Sequence, residues 1–271
     1  MSYDLVLFER TKEIDSYEAF LCWLEIQTGW GEERDYNDVI GTAPQLVEGF
    51  MKLKKQFPPL NGPHRLSDEE AFGDVETERH LTDYAIGHEI IYASFGWSVA
   101  EEAYQETKRV AETCQLGFFD SQSGDFSCPG VPVVKLRNEQ GKECCTTWNN
   151  LEQELNTLDS PLRGTSKRDN AFVTVWIESG GGKDIQTEGT GDHVFMQVMP
   201  NYQKPKGVLK KLFPSGGTSA GIDGYTVEVC TGGKIFESHT AEKQQMIDLF
   251  RDFYKNHKLP DLTGWEDTGI L

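Results

Sequence analysis

The chain has 271 residues, of which 37% are hydrophobic and 11% aromatic; this content supports packed cores and excludes disorder over the whole chain. Its formal net charge is −18, and residues 1–130 contain 25 Asp and Glu against 10 Lys and Arg. Such acidity argues against nucleic acid and anionic membranes as partners and favours a basic partner. No apolar stretch approaches the roughly 18–20 residues that span a bilayer, and the first residues lack a signal-peptide pattern, so we expect a cytoplasmic protein.

The first half of the chain predicts strands and helices in the order strand, helix, helix, hairpin, helix, strand. Alternating β-formers indicate the first strand, and Ser16 is placed to cap the first helix. Pro44 suits a first helical turn, and Gly87-His88 suits a hairpin turn. Ser98 and Glu101 have the spacing of a capping box before the third helix. The predicted elements are Tyr3–Phe8, Tyr17–Gln27, 44–55, 82–86, 89–95, 99–114 and Gly117–Asp120.

The second half follows a segment of small and polar residues, 121–130, which reads as a linker. It predicts strands joined by Gly-rich turns and two helices, at 131–137, 148–158, 171–178, 184–188, 194–199, 225–230, 234–237 and, after Thr240, to residue 254. The fold class is therefore α+β, with two α/β domains that each pack helices on a mostly antiparallel sheet. The predicted domains are an acidic α/β sandwich at 1–125 and an α+β domain at 131–271.

The sequence contains no catalytic signature, and we predict no catalytic residue, no metal site and no cofactor. His88-Glu89 lacks the second histidine, four residues on, that a zinc-binding helix requires. The six cysteines show no paired CxxC spacing, so we expect reduced and mostly buried thiols.

The densest group of acids lies at residues 67–78 and has two interpretations. One is a solvated loop; the other is a docking surface for a basic protein, because complementary charge raises association rates while aromatic anchors supply affinity. Trp30 and Tyr36 lie in an acidic segment without clear periodicity, which leaves two interpretations: an exposed anchor in at least one of them, or packing in the core, the commoner fate of a tryptophan. Phe72 is a third candidate anchor. The carboxylates of the docking hypothesis are Asp68, Glu69, Glu70, Asp74, Glu76 and Glu78.

Several segments resemble proteins of bacterial toxin systems. FPPLNGP (57–63), the stretch DYAIGHEIIYASFGWSVAEEAYQETKRVAE (83–112) and GFFD resemble small proteins from type VI secretion and polymorphic toxin neighbourhoods. WNNLEQELNTLD (148–159), FVTVWIE (172–178), DIQTEGTGDHVFMQV (184–198) and the C-terminal FRDFYKNHKLPDLTGWED are similar to immunity proteins of these systems. Such proteins often end in an aromatic residue followed by acids, like Trp265-Glu266-Asp267, which makes Trp265 a further candidate anchor.

The resemblance implies an immunity protein that binds a cognate secreted toxin and occludes its active or substrate-binding surface. The expected partner is a basic effector domain. Two alternatives remain open at this stage: a carboxylate-dependent hydrolase with a cleft between the domains, and an adaptor of a secretion apparatus. The sequence also leaves the oligomeric state open.

Overall fold

The computed structural model describes residues 2–141, 143–160, 171–179, 183–184, 194–202 and 222–270. They form two compact units, and the border between them falls between Val133 and Val134. The sequence-based bounds are 1–125 and 131–271. Each unit is an antiparallel sheet with helices packed on it, so the predicted α+β class with two sheet-containing parts is confirmed. Among the described residues, no helix is both long enough and apolar enough to cross a bilayer.

The first unit contains five strands in the spatial order β2-β3-β1-β4-β5, and every neighbouring pair is antiparallel. A single 3₁₀ turn, Trp97–Val99, precedes its longest helix. Its elements are β1 (Tyr3–Phe8), α1 (Tyr17–Gln27), α2 (Pro44–Leu53), α3 (Asp68–Phe72), α4 (Val75–His80), β2 (Asp83–Ile86), β3 (Ile90–Phe95), α5 (Ala100–Cys114), β4 (Gly117–Asp120) and β5 (Phe126–Ser127).

Alternation along β1 divides the core of this unit between the two faces of its sheet. Leu5 and Leu7 point to the face covered by α2 and α5, where they join the larger apolar cluster. Val6 and Phe8 point to the opposite face, where Phe8 meets Phe20 of α1 at 4.6 Å between ring centroids. These four side chains are almost completely buried, so the central strand β1 stabilises both layers.

Three segments of the first unit differ from the sequence-based expectation. The predicted linker 121–130 contains β5, which pairs with β4, and Phe126 is buried against Phe8 and Phe20. Ser98 lies in the 3₁₀ turn and does not cap α5, whose N-cap position is Val99. The acidic run forms two short helices, α3 and α4, and not a loop.

The described residues of the second unit form an eight-stranded sheet: seven strands follow the order β13-β12-β11-β10-β8-β6-β7, and the eighth, β9, pairs with β8. The two helices among its described residues pack together through an apolar cluster that includes Leu151, Leu155, Phe250 and Phe253. Its elements are β6 (Val133–Asn138), β7 (Glu143–Cys145), α6 (Trp148–Thr157), β8 (Val173–Ser179), β9 (Lys183–Asp184), β10 (Phe195–Tyr202), β11 (Ile222–Thr231), β12 (Lys234–Thr240), α7 (Lys243–Asn256) and β13 (Glu266–Ile270).

One predicted strand of this unit is only partly described, and a strand is present near the C-terminus where the sequence predicts no element. Of the predicted strand 184–188, residues 185–188 lie outside the described residues. The tail after Trp265 forms β13, the edge strand that pairs with β12 and places Asp267 opposite Phe236.

Candidate protein-interaction surface

The acidic helix pair, α3 and α4, is shaped by caps that its own acidic residues supply. At α3, the Ser67 hydroxyl accepts the Glu70 N–H and the Glu70 carboxylate accepts the Ser67 N–H, a complete capping box. At α4, the Asp74 carboxylate accepts the Thr77 N–H at 2.9 Å. The Ser67 hydroxyl and N–H, which both donate to the Glu70 carboxylate, lower the pKa of Glu70, and the Thr77 N–H and hydroxyl lower the pKa of Asp74. The dense run of acids therefore folds as helices because two of its carboxylates serve as caps.

All six carboxylates of the docking hypothesis are exposed on these two helices, but they differ in what else they bind. Glu70 and Asp74 are caps, and Glu76 pairs with Arg79 at 2.7 Å. Asp68 lies 3.4 Å from the guanidinium of Arg65. Glu69 and Glu78 have no ion pair or side-chain hydrogen bond within the part of the chain that the structure describes. These two residues are therefore the carboxylates most available to a partner.

Large apolar side chains are exposed beside these carboxylates. Phe72 at the end of α3 is 60% exposed, and Val75 at the start of α4 is 72% exposed. Trp97, 53% exposed, lies in the 3₁₀ turn that adjoins α4, where Arg79 donates a hydrogen bond to the Ser98 carbonyl. Neither Val75 nor Trp97 is singled out by the sequence, because their exposure depends on how the short helices pack.

The acidic helix pair is fastened to α5 through a buried histidine. The Nδ1 atom of His80 lies 2.8 Å from the Glu76 carbonyl oxygen, and Nε2 lies 3.2 Å from a carboxylate oxygen of Glu102. The imidazole also packs against the ring of Phe57, with 5.4 Å between centroids. The end of α4 is thereby held against α5, which limits the entropy that a partner must remove on binding.

Trp30 and Tyr36 come together in a cluster of their own on the α1–α2 connection. Both are half-buried, and their rings meet edge to face at 5.1 Å. Trp30 also meets the ring of Tyr92 at 6.2 Å, and the Tyr36 hydroxyl accepts the Glu32 N–H at 2.8 Å. The structure therefore places these two predicted anchors in one aromatic cluster, formed by elements other than α3 and α4.

Trp265, the fourth predicted aromatic anchor, belongs to the second unit. It is partly buried and packs against the apolar cluster of that unit. Its backbone N–H donates to the Leu262 carbonyl. Nearby, Lys234 and Asp267 join β12 to β13 by an ion pair of 2.6 Å. The observed contacts of Trp265 secure the C-terminal segment on the second unit.

Groups with the properties of catalytic acids are few and dispersed among the described residues. Burial raises the pKa of the Glu89 carboxyl, helped by the charges of Glu9 and Glu13. Burial and the adjacent Glu237 raise the pKa of Glu228. No group of three or more His, Cys, Asp or Glu side chains in this part of the chain has the arrangement of a metal site.

A cavity of about 610 Å³ lies at the C-terminal end of α7 and contains neither of these two carboxyls. Its own Asp261 accepts hydrogen bonds from the Thr263 hydroxyl and N–H, which lower the pKa of the carboxyl. A general acid requires a raised pKa, so Asp261 is unsuited to that role. The cavity is lined by Leu249, Asp252, Phe253, Asn256, Lys258, Leu259, Pro260 and Asp261.

Comparison with known proteins gives no relative: no protein-family model, no curated protein and no solved structure matches the chain.

Proposed function

We propose that this protein is a cytoplasmic immunity protein that binds and neutralises a basic protein toxin, with the acidic helix pair as its main contact. The observation that carries the proposal is the exposure of Phe72 and Val75 among six exposed carboxylates. The resemblance of the second half of the sequence to immunity proteins, and of the first half to small proteins from the same toxin neighbourhoods, supports the same class.

The two kinds of side chain have different roles in such an interface. Carboxylates attract a basic partner over several ångströms and raise the association rate, an effect that salt screens. Apolar side chains at the centre of the contact supply most of the affinity once water is excluded. Phe72, Val75 and the neighbouring Trp97 fit the second role, and Glu69 and Glu78 fit the first.

The proposal assigns no catalytic step to this chain. Inhibition follows when the acidic surface occupies the basic cleft with which a toxin holds its substrate. The hydrolase alternative would need two carboxyls with separated pKa values in one cavity. Glu89 and Glu228, whose pKa values are raised, do not line the α7 cavity, and Asp261, which does line it, has a lowered pKa.

The test is co-expression with the product of the adjacent open reading frame, under conditions in which that product alone stops growth. We expect the wild-type chain to restore growth and to co-purify with that product. Failure of the wild-type chain to restore growth and to form a complex would overturn the proposed function.

A charge-reversal pair then tests the placement of the interface. Glu69→Lys with Glu78→Lys removes the two unpaired carboxylates while leaving both helix caps in place. Glu112→Lys with Asp252→Lys makes the same change in net charge at exposed sites elsewhere. We expect Glu69→Lys with Glu78→Lys to slow association by about tenfold or more at low salt and to make the association rate less dependent on salt. The control pair should change the association rate and its salt dependence less. Equal effects of the two pairs would contradict this placement.

A further inference from the structure

The outer face of the first sheet, opposite α2 and α5, is only partly covered by α1. Phe20 of α1 packs on Phe119 and Phe126, which lie on the β4–β5 side of the sheet. On the other side, Tyr92 of β3 pairs with Ala85 of β2, and both point to the same outer face. Tyr92 and Ala85 are only half-buried.

A groove of about 640 Å³ occupies this uncovered area, between α1 and the β2–β3 hairpin. This volume lies within the range of known binding pockets and accommodates a large side chain. Its lining is mainly apolar, and the residues that form it are Leu21, Leu24, Glu25, Thr28, Trp30, Ala85, Tyr92 and Ser121.

One wall of the groove is an aromatic side chain held in an unusual backbone conformation. Trp30 has φ 49°, in the left-handed region that bulky residues rarely adopt, at a cost on the order of 1–3 kcal/mol. The ring is held between Tyr36 and Tyr92 by edge-to-face contacts. The Tyr36 hydroxyl in turn accepts the Glu32 N–H and donates to the Glu32 carbonyl. The wall is therefore formed before any ligand arrives.

The charge around the groove is negative. Tyr92 and Ala85 lie in one row across the sheet. The next row on the same face, two residues along each strand, contains Asp4, Ser94 and Asp83. Glu25 lines the groove itself, and its described lining contains no lysine or arginine. One carboxylate, Glu25, therefore lines the groove, and two more, Asp4 and Asp83, lie in the next row of the same sheet face.

We propose that this groove binds one aromatic side chain which a basic segment of the partner presents between lysine or arginine residues. The apolar floor accepts the ring, Trp30 and Tyr92 offer edge-to-face contacts, and the surrounding carboxylates pair with the flanking cations. The inference rests on the proposed function for the basic character of the partner. It adds a second contact, on a different surface from the acidic helix pair, and specifies its chemistry.

Two synthetic peptides test the groove without the natural partner. Lys-Lys-Phe-Lys-Lys carries the aromatic side chain, and Lys-Lys-Ser-Lys-Lys has the same charge without it. In NMR titrations of the full chain, we expect the Phe peptide to bind about tenfold more tightly, which corresponds to about 1.4 kcal/mol, and to shift the Trp30 indole resonance. Equal affinity of the two peptides for the wild-type chain would overturn the proposal.

Variants locate the binding and separate this inference from the proposed function. Ala85→Trp fills the groove, and Leu21→Ser removes part of its apolar wall as a second, smaller change. Both should abolish or reduce the preference for Phe, whereas Glu69→Lys with Glu78→Lys should preserve it. If the folded groove variants keep the wild-type preference for the Phe peptide, the proposal that the ring binds in this groove is wrong. Failure of co-expression to protect cells, with the Phe preference intact, overturns only the immunity function.

Discussion

The Nε2 atom of His80 lies 3.2 Å from a carboxylate oxygen of Glu102 and joins the acidic helix pair to α5. Burial disfavours the imidazolium, but the hydrogen bonds to the Glu76 carbonyl and to Glu102 outweigh it, and the pKa of His80 is raised. A raised pKa in the folded state means that protonation of His80 stabilises the fold. This contribution is complete below the unfolded pKa of about 6.5 and is lost as pH rises through the folded value.

We therefore expect Glu102→Gln to lower the pKa of His80, because the substitution removes the charge that favours the imidazolium. NMR titration of the His80 ring in both proteins measures the change directly. Glu112→Gln, on an exposed position of the same helix, is the control and should leave the titration in place. A midpoint that does not move in Glu102→Gln would show that the ion pair does not determine the charge of His80.

The close approach of Gly117 to Phe8 predicts a core position that tolerates no side chain. A Cβ atom at residue 117 would overlap the ring of Phe8, which is itself fully buried. Gly117→Ala should therefore lower the free energy of unfolding by about 1–3 kcal/mol. Gly31→Ala is the matched control, because a Cβ there meets no described heavy atom within 4 Å. Urea unfolding of both variants measures the difference, and equal stability would rule out this packing constraint.

The sequence predicted elements well where the determining signal is local. The bounds of β1 and α1 agree with the prediction, and the Ser16 hydroxyl caps α1 by accepting the Ala19 N–H. Alternation, helical spacing and N-cap chemistry each depend on a few neighbouring residues. The hairpin of β2 and β3 is confirmed for the same reason, with Gly87 donating to the Ile90 carbonyl in its turn.

The sequence failed where long-range packing decides the outcome. Ser98 has the residue type of a cap, yet it lies in a 3₁₀ turn, and the Glu101 carboxylate accepts a hydrogen bond from Gln105 instead of closing a capping box. The exposure of Trp97 follows from that same turn. For the candidate site, the sequence located the carboxylates but could not tell Glu70, a cap, from Glu69, whose side chain has no described partner.

Phe126 is a second residue whose burial the local sequence does not indicate, and its replacement should lower stability strongly. Polar neighbours conceal it in the sequence, but its ring lies 4.6 Å from Phe20 and 5.2 Å from Tyr17, and it is 1% exposed. Phe126→Ala should cost about 3–5 kcal/mol of stability, since it removes a buried ring and leaves a cavity. Phe72→Ala, at a position 60% exposed, should stay within about 0.5 kcal/mol. If calorimetry shows similar losses of stability for Phe126→Ala and Phe72→Ala, residues 121–130 act as a linker and not as part of the core.

Arg34 organises the connection between α1 and α2, which carries the aromatic wall of the groove. The two N–H groups of one guanidinium nitrogen, Nη2, are shared among three acceptors: the Asp38 carbonyl at 2.8 Å, the Ile40 carbonyl at 3.0 Å and the Thr42 hydroxyl at 2.9 Å. The side chain is 6% exposed, and the planar fork lies 3.7 Å from the Glu32 carboxylate. A connection of this length without regular structure needs such a centre to keep one conformation.

Replacement of this arginine should therefore loosen the connection without unfolding the unit. Arg34→Met leaves the three acceptors without their donor, at a cost of about 1–3 kcal/mol, and should speed hydrogen exchange of the Thr42 and Ala43 amides. Arg65→Met, which removes only an exposed ion pair with Asp68, should leave that exchange unchanged. If Arg34→Met also keeps wild-type exchange, other contacts hold the connection. If exchange rises and the preference of the groove for the Phe peptide falls with it, Arg34 positions the Trp30 wall.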